Sequence, residues 1–221
     1  MRTAKTILTV IQERGKQKKP IERVYKLLFN RELYLNAYAK LYPNNGAMTK
    51  GVTDETVDGM SIQKIDRMIE ILREEKYQWK PARREYIKKK NGKKRPLGIP
   101  VWGDKVLQEV IRQILEAYYE PQFSEHSHGF RPNRGCHTAL QVWKGTRWFI
   151  EGDISQYFDT IDHKILLEIL ARNIHDGRFI RLVSNMLEAG YLEEWKFNQT
   201  ISGVPQGGVI SPILANIFLN E

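Results

Sequence analysis

Two aspartates six residues apart, Asp153 and Asp159, are the side chains of this chain best placed to bind a hard cation. Asp153 ends an apolar, aromatic run that begins at Arg147, a pattern that predicts a buried strand with a carboxylate at its exposed tip. Carboxylate oxygen is a ligand that Mg²⁺ prefers, and the turn that follows would place the ring of Phe158 beside the cation. Asp159 has a simpler interpretation as a helix cap or as the partner of a nearby cation. The sequence therefore predicts Asp153 as the metal ligand.

A cluster of cations surrounds the predicted turn of a β-hairpin. Asn91-Gly92 between two extended runs is a strong turn signal, because both positions favour positive φ. Alternate side chains of a strand share a face, so Lys93 and Arg95 are predicted to project together and grip a triphosphate, the arginine through bidentate contacts. The alternative is a solvated charge run at a hairpin tip. The other cations of the cluster, which are predicted to contact nucleic acid, are Lys88, Lys89, Lys90 and Lys94.

A polar loop over residues 120–134 carries two arginines. Arg131 and Arg134 are predicted to touch the backbone phosphates of a nucleic acid, with Phe130 packed beneath them. The loop also has two histidines at i and i+2, but the third and fourth ligands of a zinc site are missing at a recognised spacing. Contact with phosphate is therefore the preferred interpretation.

A glycine-rich turn precedes the last predicted helix, whose first turn contains Pro212. Glycines at positions 203, 207 and 208 let the backbone approach a ligand closely. Gln206 lies between a proline and two glycines, so a rigid turn would aim its amide at the ribose or base of a nucleotide. No Gly-Lys-Ser/Thr follows, so the turn is not a Walker phosphate loop.

The charge of the chain favours a polyanionic partner. The 221 residues include 35 Lys and Arg against 26 Asp and Glu, which gives a formal net charge of +9. This balance makes nucleic acid the first candidate, with simple solubility as the alternative. The single cysteine, Cys136, excludes a disulfide within the chain and fits a reducing cytoplasm. No apolar run is long enough to cross a bilayer, so no membrane partner is expected.

The spacing of apolar residues divides the chain into the elements that must position these side chains. Residues 1–45 predict helices broken by a basic linker over 14–20, and 42–59 predicts a loop. Ser61 and Asp162 are predicted N-caps. Further helices are predicted from these two caps, over 104–119 and 178–189, near 135 and from 212, and strands over 86–90, 93–100, 147–153 and in a hairpin within 191–201. This mixture predicts an α+β fold.

Four segments of the chain, in this order, resemble the reverse transcriptases encoded by group II introns, which are also called maturases. They are YIKKKNGKKRPLGIP (86–100), HSHGFRPNRGCHTAL (126–140), FIEGDISQYFDTIDH (149–163) and GVPQGGVISPILANIFLNE (203–221). The resemblance covers 86–221 strongly. It implies a right-hand polymerase: the fingers and an incomplete palm, preceded by a helical N-terminal extension.

The resemblance also implies a division of the chain. Residues 1–45 would form the extension, 46–130 and 161–205 the fingers, and 131–160 with 206–221 the partial palm. The Tyr-x-Asp-Asp motif that supplies further acids in the family is not found after Gly208. The thumb, maturase and endonuclease domains are likewise expected to be absent from this chain.

The roles of the site residues follow from the same resemblance. The Asp153 carboxylate and the Ile154 carbonyl would bind Mg²⁺, two ions in the complete enzyme and weakly or not at all in this chain. Phe158 would exclude a 2′-hydroxyl and so select dNTPs. The remaining nucleotide contacts would be the backbone amides of Gln156 and Tyr157 and the side chains of Lys93, Arg95 and Gln206.

The implied function is that of an RNA-directed DNA polymerase that also acts in RNA splicing and intron mobility in the bacterial cytoplasm. Its partners would be group II intron RNA, an RNA template with a DNA primer, and dNTPs. The isolated chain is expected to lack polymerase activity and, with apolar palm surface exposed, to associate as a homodimer. The alternatives are a non-catalytic RNA-binding module that aids splicing, another bacterial reverse transcriptase (retron, CRISPR-associated or diversity-generating), and a phosphatase or nuclease using Asp153 and Asp159.

Overall fold

The computed structural model describes residues 2–88, 92, 94–142, 144–148, 150–204 and 207–221. The α-helices are α1 (Ala4–Lys16), α2 (Arg31–Leu41), α3 (Ile62–Arg73), α4 (Trp102–Tyr119), α5 (Cys136–Val142), α6 (Tyr157–Thr160), α7 (His163–Asn173), α8 (Gly177–Leu187) and α9 (Ser211–Leu219). Short 3₁₀ segments lie at Val24–Phe29, Val57–Gly59 and Glu120–Gln122. The strands are β1 (Ile21–Glu22), β2 (Ala82–Lys88), β3 (Lys94–Ile99), β4 (Ile174–His175), β5 (Tyr191–Glu193) and β6 (Lys196–Asn198).

The long helix α4 forms the centre of the core. Buried residues occupy most of its circumference, the polar Asp104, Gln108 and Glu109 among them, so other elements must cover this helix on several sides. Helices α1, α2 and α9 pack against it, so the predicted N-terminal helices share one core with the rest of the chain. The fully buried side chains of α4 include Leu107, Ile111, Ile114 and Leu115.

The predicted helix starts are confirmed by their caps. The Ser61 hydroxyl accepts a hydrogen bond from the Lys64 amide at 3.2 Å, and α3 follows it. The Asp162 carboxylate accepts one from the Ile165 amide at 3.0 Å at the start of α7. Each cap satisfies one of the amides that the first turn of a helix leaves unpaired. Pro212 lies in the first turn of α9, as predicted.

Both predicted hairpins are confirmed and belong to one four-stranded sheet of order β3-β2-β5-β6. β2 and β3 are antiparallel, with Lys88 opposite Lys94. β5 runs parallel to β2, with Ala82 opposite Tyr191, and pairs with β6 in an antiparallel hairpin. A second sheet consists of the short parallel pair β1 and β4. The basic linker is shorter than predicted, because α1 continues to Lys16.

The prediction of a strand over 147–153 is wrong for the residues that the structure describes there. None of its described residues, 147, 148 and 150–153, belongs to a strand. A strand needs a hydrogen-bonded neighbour, and in the described part of the chain both sheets are formed from other segments. Trp148 is 91% exposed and Ile150 is fully exposed, so the apolar side chains that suggested a buried strand are not covered by other elements.

Within the described ranges, no helix combines the length and the apolar character needed to span a membrane.

A buried carboxylate ties the start of α4 to the segment before β2. Asp104 accepts hydrogen bonds from the Tyr77 hydroxyl at 2.6 Å and from the Lys80 amide at 3.0 Å. Burial disfavours its charged form and raises the pKa of Asp104 to about 6, although both hydrogen bonds act in the opposite direction.

This raised pKa predicts that stability falls as pH rises. Protonation of Asp104 favours the folded state, so its contribution is present below the ordinary pKa of 3.8 and is lost as pH rises through about 6. We expect the loss to be about 3 kcal/mol in the free energy of unfolding. Asp104→Asn removes this titration, so the advantage of the wild type over the variant should shrink between about pH 4 and pH 6 in urea unfolding. Parallel pH profiles for the two proteins would contradict the assignment.

Candidate functional site

The short helix α6 and the glycine turn that follows β6 in the chain are held together by backbone hydrogen bonds. The Gly203 amide donates to the Ile161 carbonyl, and the Val204 amide donates to the Phe158 carbonyl, each at 2.7 Å. Phe158 is the residue to which the sequence assigns contact with the nucleotide sugar. The turn that leads to Gln206 is therefore docked on the helix that carries this ring.

His163 also contacts the junction between α6 and the glycine turn. The Nε2 of His163 donates to the Gly203 carbonyl at 2.7 Å, and the Ser202 hydroxyl donates to the Asp159 carbonyl at 3.2 Å. Sequence reasoning missed His163, because 40 residues separate it from Gly203. Its position directly after the Asp162 cap was the one available signal, since that cap fixes which way the first turn of α7 faces.

The glycines of the turn serve close approach, as predicted, but the approach is to the protein itself. A Cβ on Gly203 would lie 2.8 Å from the Cα and carbonyl oxygen of Asp159 and from the carbonyl oxygen of Phe158, and its φ is +85°. A Cβ on Gly207 would lie 2.5 Å from Leu97 in β3. The glycine turn is thus packed between α6 and the strand that carries the predicted phosphate-binding cations.

Helix α6 is anchored to α9 by a half-buried phenol. The Tyr157 hydroxyl donates to the Ala215 carbonyl at 2.8 Å, and burial raises the pKa of Tyr157 to about 12, so it remains a donor at neutral pH. The half-buried Phe158 ring packs edge to face against Tyr157 at 5.7 Å and against Phe130 at 6.3 Å. The backbone contacts predicted for Gln156 and Tyr157 stay predictions.

Asp153 and Ile154 are both exposed, on the segment between α5 and α6. Over the described ranges no three His, Cys, Asp or Glu side chains come together in a way that could hold a metal ion. Magnesium requires near-octahedral oxygen ligation, and one carboxylate with one carbonyl falls short of that set. The described residues therefore do not complete a magnesium site, and Asp153 stays a predicted ligand.

Three cations of the β2–β3 hairpin lie near one another at its strand ends, while the shared face predicted for Lys93 and Arg95 stays a prediction. Lys88 lies directly opposite Lys94, and Arg95 lies opposite Ile87; all three cations are exposed. The adjacent strand ends create a positive surface beside the glycine turn, because Leu97 of β3 contacts that turn. Four residues of the predicted site lie outside the described residues: Lys89, Lys90, Lys93 and Gln206.

The prediction that Arg131 contacts phosphate is wrong. Arg131 is buried, and its guanidinium donates to the Glu120 carboxylate at 2.9 Å and to the carbonyls of Ser124 and Ser127 at 2.6 and 2.8 Å. It therefore stabilises the loop that contains it, and its donors face protein acceptors. Phe130 is 71% exposed and does not pack beneath the arginines.

The predicted contact of Arg134 with phosphate stays a prediction. It is half-buried and donates to the Glu125 carbonyl, which holds it at the surface of the same loop. His128, one of the two histidines of that loop, bonds through Nδ1 to the Thr138 hydroxyl at 2.8 Å, a contact that ties the loop to α5.

Comparisons with known proteins give the family of the chain. The family model described as "Reverse transcriptase (RNA-dependent DNA polymerase)" matches residues 87–221. The group II intron-encoded protein LtrA of Lactococcus lactis subsp. cremoris is 51% identical over 204 residues, which are 90% of this chain and 34% of that protein. An uncharacterized 91 kDa protein in the cob intron of Schizosaccharomyces pombe is 46% identical over 99% of this chain and 28% of that protein.

Among solved structures, a chain of the partial Cas6-RT-Cas1–Cas2 complex matches with a TM-score of 0.59 over 89% of this chain and 34% of that chain. The sequence identity is 18%, so the likeness concerns the fold alone. The chain spans about a third of the length of the relatives LtrA and the 91 kDa protein.

Proposed function

Because the chain belongs to the reverse transcriptase (RNA-dependent DNA polymerase) family, we propose that it forms the nucleotide-binding part of an RNA-directed DNA polymerase encoded by a group II intron. The identity to LtrA and to the protein of a fungal intron favours the intron-encoded type. The complete protein would copy an RNA template from a DNA primer with dNTPs and would bind group II intron RNA as a maturase.

The observation that carries the proposal is the junction of α6 with the glycine turn. It brings the Phe158 ring, the backbone of Gly203, Val204 and Gly207, and the cationic β3 strand to one place, although the chain separates them by tens of residues. The predicted amide of Gln206 belongs to the same turn in the sequence. A ring for the sugar, an amide for the base and cations for the phosphates are the three recognition elements that a dNTP requires.

Magnesium is part of this proposal. When bound, it would neutralise charge on the phosphates during nucleotidyl transfer. The part that this chain would contribute is the exposed carboxylate of Asp153 with the carbonyl of Ile154. Since these two groups do not complete the site, the remaining ligands of the complete enzyme would be the acids of the family's Tyr-x-Asp-Asp motif.

Primer extension tests the proposal. A chimera in which this chain replaces the matching third of LtrA should extend a DNA primer on an RNA template with dNTPs and Mg²⁺. The 221-residue chain assayed beside it should give no product, because it supplies too few metal ligands. Synthesis by the chain alone would contradict its expected inactivity.

The second candidate function is a non-catalytic RNA-binding module that aids splicing. The net charge of +9 and the exposed cations of the β2–β3 hairpin favour it. A chimera that is folded and binds RNA, with an affinity that falls steeply with salt, but makes no DNA would favour this function over polymerisation.

A further inference from the structure

The tip of the β5–β6 hairpin carries a tryptophan where backbone geometry favours glycine. Glu193 pairs with Lys196, and the two residues between them, Glu194 and Trp195, have φ of +49° and +63°. Positive φ at both central positions is the geometry of a type I′ turn, which favours Asn-Gly. A bulky side chain in the left-handed region is strained, and such strain persists where the rest of the structure enforces it, commonly at functional sites.

The side chain gains no burial in return for that strain. Trp195 is 96% exposed, and Phe197 in β6 is 60% exposed. Large aromatic rings usually contribute to stability by burying surface, so an almost fully exposed tryptophan contributes little to this fold. What the position offers instead is an apolar, flat surface that projects into solvent.

The base of the hairpin is fixed to the rest of the sheet. The Ala82 amide donates to the Gly190 carbonyl at 3.1 Å just before β5, and the Tyr86 hydroxyl of β2 donates to the Glu193 carboxylate. The Arg84 guanidinium stacks 3.4 Å from the centre of the Tyr191 ring. The tip is therefore carried by the same sheet as the cationic β2–β3 hairpin.

The charge around the tip indicates what would meet the ring. Lys196 is exposed beside Trp195, and the same sheet carries the exposed Lys88 and Lys94. Glu194 adds one negative charge, while Glu193 is engaged by Tyr86. A ring beside one lysine, on the sheet that also carries the cationic β2–β3 hairpin of a chain of net charge +9, suits an unpaired base with its phosphates.

We propose that Trp195 stacks on an unpaired base of single-stranded RNA, as a contact outside the nucleotide site. The inference rests on the proposed function, because it takes RNA as the partner of the chain. Lys196 would meet an adjacent phosphate. Stacking on an aromatic face tolerates any base, so this contact would strengthen binding without reading sequence.

The test uses the strain itself. Replacing the tip by the residues that its geometry favours, as Glu194→Asn with Trp195→Gly, should raise the melting temperature of the chain by about 2–5 °C. The same double variant should bind a mixed-sequence RNA of about 20 nucleotides about 5- to 150-fold more weakly, the effect of one lost stack. A variant that is more stable and binds less cannot owe its loss of affinity to misfolding.

Matched variants separate stacking from charge. Glu194→Asn alone keeps the ring and should bind RNA at least as well as the wild type. Trp195→Phe also keeps an aromatic ring and should retain most of the wild-type affinity. Relative to Glu194→Asn, the double variant should lose affinity by the same factor from about 50 to 200 mM salt, since a ring releases no counterions. Lys196→Ala should instead lower the salt dependence by about one phosphate contact.

Unchanged RNA affinity in the double variant would overturn the inference. If the LtrA chimera makes DNA and the chain binds RNA regardless of Trp195, only this inference fails. If the wild-type chain binds no RNA and the chimera makes no DNA, the proposed function fails with it.

Discussion

Asp153→Ala in the LtrA chimera will lower the rate of primer extension by about 100- to 1,000-fold or more, while the affinity for RNA stays within about twofold of the unsubstituted chimera. The carboxylate is exposed, so its removal leaves no cavity and no buried group without a partner. Surface substitutions of this kind usually change stability by less than about 0.5 kcal/mol. The loss of activity will therefore report on chemistry and not on folding.

Glu151 supplies the matched control for Asp153. It is an exposed acid two residues earlier on the same segment, and Glu151→Ala removes the same charge. That variant should extend primers at close to the unsubstituted rate. Equal losses in the two variants would mean that general electrostatics of the segment matters, and a loss of RNA binding with Asp153→Ala would contradict a separate catalytic role.

Gly203→Ala will destabilise the chain by about 3–5 kcal/mol in urea unfolding. The alanine would have to adopt φ near +85°, and its Cβ would lie 2.8 Å from backbone atoms of Asp159 and Phe158, which cannot move without breaking the junction. The loss should appear first as faster amide hydrogen exchange at Val204, whose bond to the Phe158 carbonyl depends on the close approach.

Two other glycines separate the causes of this effect. Gly92 has φ of +77°, and a Cβ added there would meet nothing within 4 Å, so Gly92→Ala should cost about 1–2 kcal/mol from backbone strain alone. Gly46 has neither a positive φ nor a close neighbour, so Gly46→Ala should be nearly neutral. Similar losses for Gly203→Ala and Gly92→Ala would show that contact with α6 contributes nothing.

Local elements followed from the sequence with good accuracy. The Ser61 and Asp162 caps, Pro212 at the start of α9 and the strands on either side of Gly92 were all predicted correctly. In each case the signal and the structure that it specifies lie within a few residues of one another. Local interactions then specify these helix starts and strands, and packing against distant segments does not override them.

The prediction for Arg131 failed for the opposite reason. A basic residue in a polar loop is equally consistent with a solvated side chain that binds phosphate and with a buried ion pair. The choice depended on Glu120, 11 residues away, and on two carbonyls that the loop turns inward. The buried guanidinium is stable because every one of these acceptors meets it at once.

The strand expected over 147–153 shows a second limit. Its run of apolar residues shows which side chains the segment could bury, but a strand exists only where another strand pairs with it. Pairing is decided by the rest of the fold, and the described residues place no strand beside this segment. An apolar pattern therefore indicates that a segment could form a strand, but it does not identify the strand with which the segment would pair.

The family, the local elements and the chemical types of the site residues could be read from the sequence, because ordered motifs, caps and turns act over short distances along the chain. The contacts of His163 and α6 with Gly203, the burial of Arg131 and the projection of Trp195 from a strained turn became known from the folded chain. These features depend on contacts between segments tens of residues apart, and the burial and direction of a side chain in such contacts are properties of the packed fold.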